Sequence, residues 1–199
     1  MLFRSTGCVY LVPLMESLAL PAKIAAAANP KSSTGRLDVF TRVIADGADA
    51  FDQIPAGYHG PLHAEICPQT FPIVVRPGST LAQLRLRVGD PVEDDAALAA
   101  LHKRDTLVSG GVEDIRGGVA LSVDLIGRGG LIGYRAKRHT GIVDVDRPRS
   151  YAIRDYWEPI HDDGSRRLIL DPDQFYILDR KSTRLNSSHS SVSRMPSSA

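Results

Sequence analysis

FPIVVRPGSTLAQLRLRV, from Phe71 to Val88, holds two short apolar or alternating runs joined by Arg76-Pro77-Gly78-Ser79. Pro presets the backbone of a turn's second position and Gly accepts conformations closed to other residues, so the stretch reads as strand, turn, strand. Working outward, the same signature recurs. CVYLVPL (Cys8 to Leu14), VALSVDLI (Val119 to Ile126), IVDV (Ile142 to Val145), RLIL (Arg167 to Leu170) and QFYIL (Gln174 to Leu178) are short, β-branched or alternating, and Gly, Pro and Asp bound them. Further turn signals stand at GRGG (Gly127 to Gly130) and DPD (Asp171 to Asp173). Many short strands at close spacing predict a mainly β chain, a barrel or sandwich and not a βαβ sheet. One helix interrupts them: EDDAALAALHKR, Glu93 to Arg104, has acids in its first turn and bases in its last, complementing the helix dipole.

Composition narrows the function classes. The 199 residues are 43% hydrophobic and 24% charged, with 24 Lys and Arg against 23 Asp and Glu, a net charge of +1. Such a balance provides no general attraction for nucleic acid or an anionic membrane, so any polyanion must be met by a local cluster of donors. No apolar run reaches the roughly 18 residues that a membrane span needs, and Pro13 and Glu16 interrupt the first apolar stretch against a signal-peptide reading. Two cysteines, Cys8 and Cys67, make no disulfide framework, which favours a reducing, cytoplasmic setting. From Lys181 to Ala199 the chain carries eight serines and neither an aromatic nor an acidic residue, so it is expected to be disordered. That tail resembles a non-native stretch found at the ends of unrelated translated fragments, and residues 1–5 read as the matching scar. Without the bases from Arg180 onward the chain has 20 basic against 23 acidic residues, a net of −3.

Against that mildly acidic background one basic cluster stands out. Asn29 to Leu37 reads NPKSSTGRL, with Lys31, the hydroxyls of Ser32, Ser33 and Thr34, and Arg36 around Gly35. Hydroxyls, turn amides and cations in this density suit a di- or triphosphate. The alternative is a plain helix N-cap by Ser32 or Ser33 with solvated charges. GYHGPLHAEI, Gly57 to Ile66, is the second informative stretch. His63-Ala64-Glu65 matches the H-x-E of zinc deaminases, but those need a downstream pair of cysteines and Cys67 stands alone, so zinc fails on ligand count. On a strand, His63 and Glu65 share one face while Leu62, Ala64 and Ile66 share the other, leaving Glu65 either a rim residue or a candidate general base.

Taken in order, NPKSSTGRLDVFTRVI, AFDQIPAGYHGPLHAEI and FPIVVRPGSTLAQLRL resemble the core of the dCTP deaminases, in the dUTPase-like superfamily, and most closely their long, two-module form. The resemblance implies a distorted β-barrel of the dUTPase-like (β-clip) type with one peripheral helix near 93–104. It places Lys31, Ser32, Ser33 and Arg36 on the triphosphate, and it makes Glu65, eight residues beyond Gly57 in the Gly57-Tyr58-x-Gly60 motif, the catalytic glutamate. Gln83 falls on the matching strand among the substrate-binding positions, with Tyr58 and Asp52 as lesser candidates. It further implies hydrolysis of dCTP to dUTP and ammonia, with Glu65 as base, Ser32 orienting water or phosphate and Arg36 offsetting charge. Mg2+ arrives with the nucleotide, no zinc takes part, and sites are shared in a homotrimer or pseudo-trimer that binds neither nucleic acid nor membrane. By the same resemblance SVDL (Ser122 to Leu125) opens a second module, so that 6–111 is the latter part of one module and 112–180 the first part of the next, with 181–199 a foreign tail.

Alternatives within this reading are a dUTP diphosphatase or bifunctional enzyme using Asp52, and a non-catalytic nucleotide-binding module. GYRAKRH, Gly133 to His139, reads as a solvated loop or subunit contact. Tyr156 and Trp157 are expected in the core of the second module. His139 and Thr140 have no assigned role beyond a polar hinge.

Overall fold

The computed structural model describes residues 2–3, 7–89, 94–108, 115–127 and 129–178. The expectations for the tail at 181–199, and for Glu93 as the start of the helix, fall outside them. Among the described residues the chain forms, in order, β1 (Leu2–Phe3), β2 (Tyr10–Ala19), β3 (Ile24–Pro30), α1 (Ser32–Gly35), β4 (Val39–Ala45), β5 (Gln53–Ile54), β6 (His59–Pro68), β7 (Ile73–Val74), β8 (Ala82–Val88), α2 (Asp95–Arg104), β9 (Leu131–Ala136), β10 (Val143–Asp144), α3 (Ile153–Tyr156), β11 (Trp157–His161) and β12 (Tyr176–Leu178). The strands make four three-stranded sheets, ordered β1-β7-β10, β2-β6-β4, β5-β3-β8 and β11-β9-β12. The mainly β expectation therefore holds, with short strands and one helix of more than a single turn.

Among the described residues two compact bodies divide the chain, one built from 2–3, 7–89, 135–158 and 171–177, the other from 94–108, 115–127, 129–134, 159–170 and 178. In the first body β6 is the central strand, antiparallel to β2 on one side and β4 on the other. Its burial alternates as the sequence pattern demands: Leu62, Ala64 and Ile66 are buried, His63 and Glu65 only half so. β4 follows the same rule, with Val39, Thr41, Val43 and Ala45 turned inward. β2 changes register between Pro13 and Ser17, where Pro cannot contribute to a regular ladder.

β3 was not expected, because IAAAANP has a single branched residue, Ile24, and no aromatic one among those that favour strands. Tertiary packing overrides that preference. Ala26, Ala27 and Ala28 are 2–3% exposed, held between β5 and β8, where small side chains let neighbouring layers approach. The reverse error occurs at Val119–Ile126 and Arg167–Leu170, which were expected as strands. Val119 makes one isolated bridge to Ile115, and Leu121, Val123, Ile169 and Leu170 are 57–83% exposed. Strand-forming residues without a neighbour to complete a ladder stay irregular.

The core of the first body has two clusters on the inner face of the β2-β6-β4 sheet. One gathers Leu20, Ala26, Ala28, Val43, Ala45, Ile54, Tyr58 and Leu62. The other gathers Val39, Ala64, Ile66, Phe71, Ile73, Ala136 and Val143. Tyr156 and Trp157, expected in a second module's core, meet Phe71 instead, edge to face at ring-centroid distances of 5.9 and 5.3 Å. A bidentate pair closes this cluster, Arg76 Nη1 and Nη2 donating to the two Asp144 oxygens at 2.7 and 2.8 Å. Tyr151 Oη accepts from Asp144 N at 2.6 Å.

In the second body Asp94 caps α2, accepting from Ala97 N at 2.7 Å, and His102, Lys103 and Arg104 occupy its last turn as the dipole favours. Asp95 accepts from Gly117 N at 2.9 Å, so the first turn of the helix holds the following loop. The GRGG turn needs its first glycine: at Gly127 φ is +68°, and a Cβ there would stand 2.0 Å from the Leu131 carbonyl oxygen.

Two outcomes are expected. Phe71 is fully buried, so Phe71→Ala should lower the unfolding free energy in urea by about 3–5 kcal/mol. The Arg76 hydrogen bonds hold the Asp144 carboxyl below its usual value of 3.8, so the ionised form favours the fold. That contribution is fully present above pH 3.8 and disappears as pH falls through the lower folded-state value. The difference in Tm between the wild type and Asp144→Asn should therefore be largest near neutrality and shrink in acid; a constant difference down to acid pH contradicts this role.

Candidate active site

The donor cluster is a single helical turn braced from below. Lys31 stands at the N-cap of α1 in extended conformation, and no side chain caps the turn, which sets aside the plain capping reading. Lys31 N donates to Leu81 O at 2.8 Å, and Lys31 Nζ donates to Thr80 Oγ1 at 2.7 Å. Thr34 is 3% exposed and its hydroxyl donates to Leu81 O at 2.9 Å. These bonds bind α1 to the residues leading into β8. They also correct one expectation: Thr34 is an anchor and is not a free phosphate donor. Ser32 and Ser33 face solvent, and Arg36 lies beside them with Nε donating to Ser32 O at 3.1 Å. Lys31, Ser32, Ser33 and Arg36 thus come together on one exposed turn.

Gln83 lies on β8 opposite Asn29 of β3, two residues before Lys31. It also lines a 480 Å³ cleft, mostly apolar, formed by the inner faces of β2, β4 and β6 and the chain from Arg76 to Leu84. None of the other candidate residues lines that cleft. It belongs to the sheet interior, and among the described residues Thr41 Oγ1 is a buried side-chain atom there without a hydrogen-bond partner.

Glu65 occupies the opposite, outer face of the β2-β6-β4 sheet. Register sets Arg42 of β4 directly across from it, and Arg42 donates to Glu65 Oε1 through Nη2 at 2.6 Å and Nε at 3.2 Å. The side chains are 32% and 17% exposed. Around this pair the outer face carries half-buried His63 and exposed apolar residues, Val9 63%, Leu11 65%, Phe40 47% and Phe51 45% exposed. A carboxylate flanked by apolar rings and held through one oxygen can exchange protons with a group brought against that face.

The two lesser candidates are used inside the fold. Asp52, at φ +61°, accepts from Val43 N through Oδ1 at 2.8 Å, and its backbone bonds Val43 O and Ala28 N at 2.8 and 2.9 Å. Tyr58 is 8% exposed; its hydroxyl donates to Pro61 O at 2.5 Å and accepts from Asp46 N at 3.2 Å. The motif's second glycine follows from that ring, because a Cβ at Gly60 would lie 2.8 Å from Tyr58 Oη. Among the described residues no three His, Cys, Asp or Glu side chains gather around a common point for a metal ion.

Sequence reading missed Arg42 and Phe51. Arg42 sits at an outward position of an alternating run, where a solvated base is the ordinary expectation, and only the register of β4 on β6 shows its partner. Arg138, His139 and Thr140 line a polar recess with Gln69 and Gln174, and His139 has φ +57°; no geometry there connects to Glu65.

Comparisons with known proteins agree with the two motif-bearing stretches. The model of the 2'-deoxycytidine 5'-triphosphate deaminase (DCD) N-terminal domain matches residues 3–90, and that of the DCD C-terminal domain matches 94–194. No curated protein matches the chain. Among solved structures, the 2'-deoxycytidine 5'-triphosphate deaminase from Agrobacterium tumefaciens is similar, with a TM-score of 0.81 and 57% sequence identity. That similarity covers 87% of this chain and 51% of the other, so the chain spans about half the length of that relative. A mainly β chain with both domain signatures in order, and the dUTPase-like fold that its motifs suggested, belongs to the 2'-deoxycytidine 5'-triphosphate deaminase family.

Proposed function

We propose that the chain contributes to hydrolytic deamination of dCTP to dUTP and ammonia, with Glu65 as the general base. The observation that carries this reading is the Glu65 carboxylate on the outer sheet face, fixed through Oε1 by Arg42, in a chain of the deaminase family. Glu65 takes a proton from water, the hydroxide adds to C4 of cytosine, and the carboxyl group returns the proton as ammonia leaves. General acid-base work of this kind contributes about 10²- to 10⁴-fold to a rate.

Lys31, Ser33 and Arg36 bind the triphosphate, and Ser32 orients phosphate or water. The support is their convergence on one exposed turn, with both serine hydroxyls outward. Hydroxyl, ammonium and guanidinium donors suit phosphate oxygens and do not suit a cation, so magnesium enters on the triphosphate's hard oxygens. The donor turn joins β3 to β4 and Glu65 stands on β6; the exposed apolar residues that flank Glu65 favour a site completed by a second subunit or module in a trimeric or pseudo-trimeric arrangement. Two free thiols, exposed Cys8 and buried Cys67, favour the cytoplasm. A diphosphatase using Asp52 is disfavoured, since its Oδ1 accepts from the backbone of β4.

The deciding experiment incubates the protein with dCTP and magnesium and separates dUTP from dUMP by chromatography; dUTP with an equivalent of ammonia is expected, dUMP identifies a bifunctional enzyme, and unchanged dCTP opposes the reading. Glu65→Gln should keep nucleotide affinity while ammonia release falls about 10²- to 10⁴-fold. Ser33→Ala, which removes a donor to a charged phosphate, should weaken dCTP binding about tenfold by calorimetry and leave deoxycytidine binding unchanged.

A further inference from the structure

The Glu65 carboxylate does not stand alone on its sheet face, and what fixes it can be traced residue by residue. Arg42 spends two nitrogens, Nη2 and Nε, on the same oxygen, Oε1. Oε2 is left out of that contact, so the two oxygens are not equivalent. The Arg42 Cζ atom stands over the Phe51 ring, 3.7 Å from its centroid, and 4.9 Å from that of Phe40. A guanidinium seated against aromatic rings has less rotamer freedom than a free one, so it holds its acceptor in one orientation. Phe51 is fixed in turn by the next residue. Asp52 is tied at three points, accepting from Val43 N by its side chain and bonding Val43 O and Ala28 N by its backbone. A line of contacts thus runs from the Asp52 turn through Phe51 and Arg42 to the carboxylate.

We propose that Arg42, seated on Phe51, is a positioning residue that clamps Glu65 by Oε1 and leaves Oε2 as the oxygen that exchanges protons with water and the leaving amine. The proposal rests on the reading of Glu65 as the base. It assigns Asp52 and Phe51 a part in the reaction without contact with the substrate: they set the guanidinium's place.

The test compares the wild type with Arg42→Gln, Arg42→Lys, Phe51→Leu and Glu65→Gln, each measured for kcat and KM with dCTP. Misplacing a reacting group by about an ångström costs on the order of 10² in rate, so Arg42→Gln should lower kcat about 10- to 100-fold with KM within about threefold. Arg42→Lys should recover part of the loss, since it restores charge without the planar fork, and Phe51→Leu should fall between wild type and Arg42→Gln. Adding Arg42→Gln to Glu65→Gln should bring no further loss, because residues acting as a unit are non-additive. A readout independent of turnover is the Glu65 side-chain carboxyl ¹³C resonance, which should shift toward a rotationally averaged value in Arg42→Gln. Thermal melts by circular dichroism check folding, and Phe51→Leu carries the test if Arg42→Gln melts early. Wild-type kcat in Arg42→Gln, an equal further loss in the Glu65→Gln background, or an unmoved carboxyl resonance overturns the clamp while leaving Glu65 as the base. Undiminished ammonia release in Glu65→Gln overturns both.

Discussion

The central strand β6 imposes the constraint on which the first body depends. From Leu62 to Ile66 its side chains alternate, so one strand provides the core with Leu62, Ala64 and Ile66 and the outer face with His63 and Glu65. A slip of one residue would turn Glu65 into the apolar interior and expose the core set. Burial of the inner residues therefore fixes where the carboxylate stands. The same ladder selects its neighbour, since pairing Val43 with Ala64 sets Arg42 beside Glu65. Packing and chemistry share one register, and neither can be altered alone.

Around that register, residues that look functional in the sequence divide into two kinds. Some are held ready and exposed, as Ser32 and Ser33 are on a turn braced by Thr34 and Lys31. Others have been consumed by the fold. Tyr58 ties Pro61 to Asp46, and Asp52 locks the turn onto β4. The distinction is one of hydrogen-bond accounting: a buried polar group must find a partner within the chain, while an exposed one is free to find it in a ligand. Arg76 and Asp144 show the structural end of that range, each satisfying the other beside an aromatic cluster.

Much of this was legible before any coordinates. Turn residues and alternation located β7, β8 and β12, charge at both ends located α2, and motif spacing singled out Glu65 and the Lys31–Arg36 turn. What sequence concealed has definite causes. β3 is made of alanines whose preference is set by neighbours. Val119–Ile126 and Arg167–Leu170 have strand composition, but among the described residues they form no ladder beyond the single Ile115–Val119 bridge. Arg42 matters because of register, a property of two strands that no single segment records. Thr34 looked like its serine neighbours and differs only in the direction its hydroxyl takes.

The break in β2 between Pro13 and Ser17 has a consequence for the edge of its sheet. β2 is an edge strand of its sheet; it presents Leu11 and Met15, and Val9 just before it, largely uncovered. A flat apolar border of that kind is a template for stacking further strands. Pro13 offers no amide to such an addition, and the register shift bends the ladder away from straight continuation. The irregularity acts as a chain terminator for sheet growth.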